Sequence, residues 1–196
     1  MTNRNVVTVE KMRGTARNTV PVPVVDGGEV ELLLDRYGRI TVAPKDAFIE
    51  ITLSLDTNQY DSGDLLADTQ ELPEAVFENG TAILQSVALL DLDDQGGALD
   101  LLILGSDTSM GTENNAFGPS DNDADEILTI VSIEATDYID LANSQLATKN
   151  GADIGLGVVL KASSETDSSL YLAAVSRDTK TYTAAGIKVK LGFLKN

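Results

Sequence analysis

Apolar and polar positions alternate along Ile187-Lys188-Val189-Lys190-Leu191-Gly192-Phe193. A period of two is the mark of a strand with one buried and one wet face. Upstream, Leu170-Tyr171-Leu172-Ala173-Ala174-Val175 is apolar throughout, as a strand covered on both faces would be. These two stretches are the expected spine of a β-sandwich. The joining residues Asp178–Gly186 hold a turn and have room for a short extra strand.

The same pattern predicts strands over Phe48–Leu55, Thr81–Leu90, Leu99–Leu104, Ile127–Ile133 and Ile154–Ala162. Turn signals separate them at Asp61-Ser62-Gly63-Asp64, Asn79-Gly80, Asp91–Gly97, Asn150-Gly151 and Glu165–Ser168. Leu65–Val76 reads either as an irregular crossing or as a short helix ending before Pro73. Tyr138, Leu141, Ala142, Gln145 and Leu146 have helical spacing, so Asp137–Ala147 is predicted as one short helix. Gly105–Glu126 is a long polar loop, of a length that in compact domains is functional or mobile. Seven or eight strands without alternating helices argue against a parallel α/β sheet. The expected fold is all-β, an antiparallel β-sandwich of jelly-roll type with at most one short helix.

Residues 1–45 read differently, as an extended N-terminal arm preceding a body at 46–196. Val6-Val7-Thr8-Val9 has the makings of a short strand, and Met12–Thr19 shows no periodicity. Val20-Pro21-Val22-Pro23-Val24 is held extended by its prolines and lacks the amide donors of a central strand. After Asp26-Gly27-Gly28, the stretches Glu29–Leu34 and Arg36–Val42 make a hairpin, which needs a surface to rest on.

Charge sharpens this division. The chain carries 31 acids against 14 Lys and Arg, a net charge of −17. Residues 1–45 hold seven cations and five acids, and residues 148–196 hold seven cations and four acids. The span 46–147 holds 22 acids and neither Lys nor Arg. Such a surface is soluble and self-repelling, or else meets a basic partner or divalent cations. It disfavours direct nucleic-acid binding, because phosphates are repelled.

Chemistry is excluded more readily than assigned. Without Cys or His the chain has no disulfide, no thiolate, no zinc site of the usual kind and no imidazole base, which points away from an enzyme. No apolar run is long enough to span a membrane, and the first residues lack the apolar segment of a Sec signal. Asp121-Asn122-Asp123-Ala124-Asp125-Glu126 has alternate carboxylates of the sort that converge on calcium. The EF-hand pattern, however, requires Gly and Glu at positions held here by Glu126 and Ser132, so a solvated acidic loop is the expectation. Asp91, Asp93 and Asp94 beside Gly96-Gly97 are expected to form a plain turn. Paired carboxylates for glycoside hydrolysis are available anywhere, but aromatic residues to line a sugar cleft are few. Gly155-Leu156-Gly157 lies inside an apolar strand and is no phosphate loop. No metal or cofactor is expected.

The arm's Arg4, Lys11, Arg13, Arg17, Arg36 and Arg39 remain. They belong either to an ordinary solvated tail or to a segment that orders by docking on an acidic neighbour, such as a second copy.

Leu34-Asp35-Arg36-Tyr37-Gly38-Arg39-Ile40-Thr41-Val42, placed after the Pro-Val stretch, resembles the opening hairpin of small virion proteins of tailed bacteriophages. Leu170–Ser176 and Thr181-Tyr182-Thr183-Ala184-Ala185-Gly186 are similar to the closing strands of that group, as is the acidic, cysteine-free composition. The resemblance implies a capsid decoration or cement protein, made in the host cytoplasm and placed on the capsid exterior. It implies a homo-oligomer, often a trimer, that binds the major capsid protein and stabilises the shell without catalytic residues. The interface residues expected on this reading are Arg4, Lys11, Arg13, Arg17, Arg36, Tyr37 and Arg39. The alternatives are a head-fibre or tail protein, a calcium-dependent adhesion or carbohydrate-binding module, and, last, an acidic-residue hydrolase.

Overall fold

The computed structural model describes residues 45–151, 153 and 157–195. The expected arm, its hairpin and its seven interface residues lie outside them. The chain forms β1 (Lys45–Thr52), β2 (Gln59–Tyr60), β3 (Leu65–Leu72), β4 (Ala82–Asp91), β5 (Leu99–Leu104) and β6 (Ile127–Ile133). There follow β7 (Tyr138–Asp140), β8 (Gln145–Asn150), β9 (Val158–Leu160), β10 (Leu170–Ser176), β11 (Lys180–Thr181) and β12 (Ile187–Lys195). A single turn of helix, α1 (Asp121–Asp125), precedes β6.

The strand pairings are nested. β1 pairs with β12, β3 with β10, β4 with β8 and β5 with β6, all antiparallel. This is a long hairpin folded upon itself. Lateral pairing of β12 with β4 and of β10 with β5 then closes two sheets. The first sheet runs β1-β12-β4-β8-β7, with β9 also on β4, and the second runs β3-β10-β5-β6. Successive strands of the nested hairpin alternate between the sheets, which is the jelly-roll order. The sandwich expected from the strand count is therefore present in its connectivity. The two spine stretches do not pair with each other; β12 and β10 are interior strands of opposite sheets.

Alternation explains which residues meet between the sheets. Ile187, Val189, Leu191 and Phe193 of β12 face inward with Leu84, Val87 and Leu89 of β4. Leu172 and Ala174 of β10 and Leu101 and Ile103 of β5 face them from the second sheet. Each fully buried Leu or Ile here contributes about 1.5–3 kcal/mol through removal from water. Leu170–Ser176 is covered on both faces as predicted, because a second apolar cluster lies on the outer side of its sheet. There Leu65, Leu102, Leu104, Ala173 and Val175 are roofed by Met110 and Phe117 from the long polar loop. That loop is stitched to the start of β3: the Leu65 amide donates to the Asn115 carbonyl, Asn114 donates to Leu65, and Phe117 donates to Gly63. Within Leu65–Val76, read as an irregular crossing or a short helix, residues Leu65–Leu72 instead form β3, which stops before Pro73. Its Leu65-Leu66-Ala67 run lacks alternation because both faces are buried.

One prediction is overturned. Asp137–Ala147 is not a helix but the hairpin β7–β8. Asp140 Oδ1 accepts the Ala142 amide, Leu141 donates to the Ser144 carbonyl, and Ala142 sits at φ 76°. These close a turn that no helix contains. Tyr138 and Ala147 pair across the hairpin facing the core, while Ile139 and Leu146 pair facing outward. Apolar residues on both faces of two short strands imitate a helical spacing. The predicted strand Ile154–Ala162 is reduced to β9, with Ile154, Gly155 and Leu156 outside the described residues.

Candidate assembly surface

The acidic loops come first, since they held the candidate chemistry. Asp91 ends β4 on its inward-facing parity and is buried. Its carboxylate accepts the amides of Asp93, Gln95 and Gly96 at 2.9, 2.8 and 2.7 Å, so one side chain organises the whole Asp91–Gly97 turn. Gly96 is at φ 56°, a left-handed conformation that favours glycine. Asp93 in turn accepts the amide and hydroxyl of Thr183, tying this turn to the β11–β12 connection. The expected plain turn is what these residues build.

The Asp121–Glu126 stretch is wound into α1, with Ser120 as its N-cap. Asp123 accepts the Thr108 hydroxyl on one oxygen and the Ser120 hydroxyl on the other. The Ser120 and Thr108 hydroxyls hold its carboxyl below the usual carboxylate range. Among the described residues no group of three or more His, Cys, Asp or Glu side chains is placed to hold a metal ion. Elsewhere carboxylates act singly in the same way. Asp68 accepts from Ser109 and the Met110 amide, Glu71 from Ser169, and Asp100 from Ser132 and Arg177. Acids in this body are used as acceptors that shape loops.

The cations beyond residue 148 answer individual acids. Lys149 meets Asp137 at 2.6 Å, Arg177 meets Asp100 at 2.6 Å, and Lys188 and Lys190 reach Glu50 at 3.7 and 3.2 Å. Lys190 is the main reason the Glu50 carboxyl is held low, and Lys149 does the same for Asp137. Tyr182 borders a shallow depression with Thr57, Asp93, Gln95, Thr181 and Thr183. Tyr60 and Tyr182 pack in the core with ring centroids 6.4 Å apart, and the Tyr138 hydroxyl donates to the Gly97 carbonyl. A depression of about 420 Å³ is lined by Glu74, Val76, Phe77, Glu78, Ser168 and Lys195. Its one cation is already engaged, donating to the Glu74 carbonyl and lying 4.7 Å from the Phe77 ring centre.

What the surface offers instead is apolar side chains and strand edges. Ile139 is 64% exposed, with Leu141 and Leu92 also open, on the outer face of the first sheet. Phe48 and Val159 are exposed toward the other end of that sheet. The edge strands of the two large sheets differ, β9 among them being only three residues long. β1 carries Asp46 and Glu50 and is bound to β12 by ion pairs. β3 carries Asp68 and Glu71 and is broken by register shifts. β7 is three residues long. β6, Ile-Leu-Thr-Ile-Val-Ser-Ile, has neither charge nor proline, and Ile130 is 53% and Leu128 36% exposed. Sequence reasoning found this strand but not its position at an edge. Its want of charge did not mark it as an edge, since β4 is uncharged from Ala82 to Leu90 and lies inside its sheet. The sequence-derived interface set, Arg4, Lys11, Arg13, Arg17, Arg36, Tyr37 and Arg39, lies outside the described residues.

No protein-family model matches the chain, and no curated protein matches it in sequence. Among solved structures it is similar to the desmodium yellow mottle tymovirus protein, at 12% identity over 99% of this chain and 95% of that one, TM-score 0.26. It is also similar to a chain of the heated full particle of Israeli acute paralysis virus, at 13% identity over 99% and 94%, TM-score 0.29. A third likeness is to a marine algae virus of the order Picornavirales, at 11% identity over 100% and 89%, TM-score 0.26. At scores this low the jelly-roll assignment rests on strand order alone.

Proposed function

We propose that the chain is a non-enzymatic virion structural protein, a capsid cement or decoration subunit acting as a homo-oligomer. Jelly rolls serve as viral capsid domains, lectins and cupins. The scarcity of aromatic residues speaks against a lectin, and the lack of His against a metal-dependent cupin. The observation that carries the reading is the surface just described. Polar groups of the loops are taken up by the fold itself, while large apolar side chains and an uncharged strand edge stand open. Exposed apolar area of this kind is what protein interfaces bury. Burying it between neighbouring capsid subunits makes shell disassembly harder, and the acid-rich remainder keeps free subunits apart. The tailed-bacteriophage resemblance supplies the finer form: residues 1–45 as the adhesive arm, with Arg4, Lys11, Arg13, Arg17, Arg36, Tyr37 and Arg39 meeting the major capsid protein on the outside of the shell.

The test is density-gradient fractionation of the native source, with the chain quantified by mass spectrometry and intact particles treated with protease. The expected result is a chain that bands with nucleic-acid-filled particles and is cut from their outside. A chain confined to the soluble fraction overturns the proposal. A chain in the particles but protected from protease overturns its exterior placement.

A further inference from the structure

We infer that the outer face of the first sheet is a self-association surface, on which a second copy packs through the same face. The inference rests on the reading of the chain as a self-associating subunit, and names the surface through which two copies join.

Strand register assembles this face from residues far apart in the sequence. On β12, Ile187, Val189, Leu191 and Phe193 point to the core, so Lys188, Lys190, Gly192 and Leu194 point outward. Their cross-strand partners share the face. Leu194 lies between Asp46 and Ile83, and Ile83 pairs with Val159. Phe48 pairs with Gly192 in the next row. Phe48 is 69% and Val159 64% exposed. Toward the other end, Leu90, Leu146 and Ile139 make a second apolar row, with Ile139 open to water. An antiparallel sheet with one face in water keeps that face polar. Apolar rows at both ends of it are what a protein contact buries.

Charge selects the occupant. The charged residues at outward strand positions of this face are Asp46, Glu50, Lys188 and Lys190, and they sum to zero. Glu50 stands between the two lysines, 3.7 and 3.2 Å away. The rest of the body is acidic. Residues 46–147 hold no Lys or Arg, and the loop roofing the second sheet exposes Asp107, Asp121 and Asp125. A basic partner is steered to those acids rather than to a neutral face. Two copies that meet through their acidic sides repel each other. The neutral face is where they can approach, and each then brings apolar rows for the other to cover.

Sheet faces joined in this way stack about 10 Å apart with their side chains interdigitated. The same face on both sides makes an isologous, two-fold contact, which closes at two copies. Phe48, Val159 and Ile139 leave water, while the acid-rich loops over the second sheets point away from each other.

The full chain is sized by light scattering, with circular dichroism checking that each variant is native. The expected species is a dimer. Phe48→Glu/Val159→Glu, at two exposed positions, reduces it to a monomer, whereas Ile130→Glu on β6 leaves it a dimer. Lys188→Glu/Lys190→Glu makes the face acidic, and Asp46→Lys/Glu50→Lys makes it basic. Each of these chains alone is expected to be monomeric, and mixing the two restores a dimer. The chain has no cysteine, so Ser86→Cys, on the same face, reports cover through maleimide labelling. Labelling is expected to be slow in the dimer and fast in the Phe48→Glu/Val159→Glu background. A monomeric parent chain overturns the inference, the more so if Ser86→Cys stays protected in it, because the same chain then covers the face. An oligomer indifferent to Phe48→Glu/Val159→Glu, one of more than two copies, or no recovery on mixing overturns it as well. A dimer formed by a chain absent from particles sinks the virion reading alone. A particle-bound chain that is monomeric in solution sinks the face pairing alone.

Discussion

At the scale of single residues the molecule turns acids into fasteners. Asp91 is the clearest case, because three amides of one turn depend on its carboxylate. Asp91→Asn keeps the shape but removes the charge and puts a donor toward donors. It is expected to lower unfolding free energy by about 1–3 kcal/mol, read from urea denaturation. The tyrosines give a second prediction. Burial pushes the Tyr60 hydroxyl up to about 12 and drives Tyr138 and Tyr182 upward as well. Their folded-state values lie above the unfolded one, so their contribution is intact below about pH 10 and is lost as pH rises toward the folded values. Each buried tyrosine then removes about 1.4 kcal/mol per pH unit across that window. Alkaline titration followed by tyrosinate absorbance should show ionisation coincident with cooperative unfolding; smooth titration of folded protein near pH 10 would contradict it. Asp91's inward direction was legible in principle, since it continues the parity of Val87 and Leu89. Its three bonds were not, because a run of Asp and Gly does not say which amides curl back.

At the scale of elements, alternation and unbroken apolar runs located β12, β10 and β5, and failed at β3 and at β7–β8. β12 was read residue by residue, whereas β3 was not, because a distant loop buries its outer face and erases the period. The β7–β8 hairpin was misread since five apolar or long side chains on two faces imitate one helical stripe. Ala142 decides between the readings. At φ 76° an alanine is strained and glycine is not, so Ala142→Gly should raise stability by about 0.5–1 kcal/mol in thermal or chemical unfolding. In a helix the same change lowers it by about 1 kcal/mol.

At the scale of the whole molecule, the all-β sandwich and its antiparallel character were legible; the strand number, twelve against an expected seven or eight, and the sheet membership were not. Periodicity tells that a strand has a buried face but not which strand lies beside it, and the open edge of β6 is a fact of neighbourhood. Charge acts at this scale too. With −17 distributed mostly over one span, self-repulsion opposes the compact state. Added NaCl screens it, so Tm should rise with ionic strength; a fall would mean that the ion pairs of Glu50, Asp100 and Asp137 outweigh the repulsion.

The pairing of β1 with β12 has a consequence for how the protein is made. β1 has no sheet to join until residues 187–195 have left the ribosome, and β4 lacks its central neighbour until the same moment. The body cannot close before β12 emerges, however early its first strands appear. Until then Phe48, Ile49 and Ile51 wait beside an unfinished sheet. The repulsion that weakens the finished fold guards the nascent chain during that interval, holding neighbours on the same message apart until the last gap in the sheet is filled.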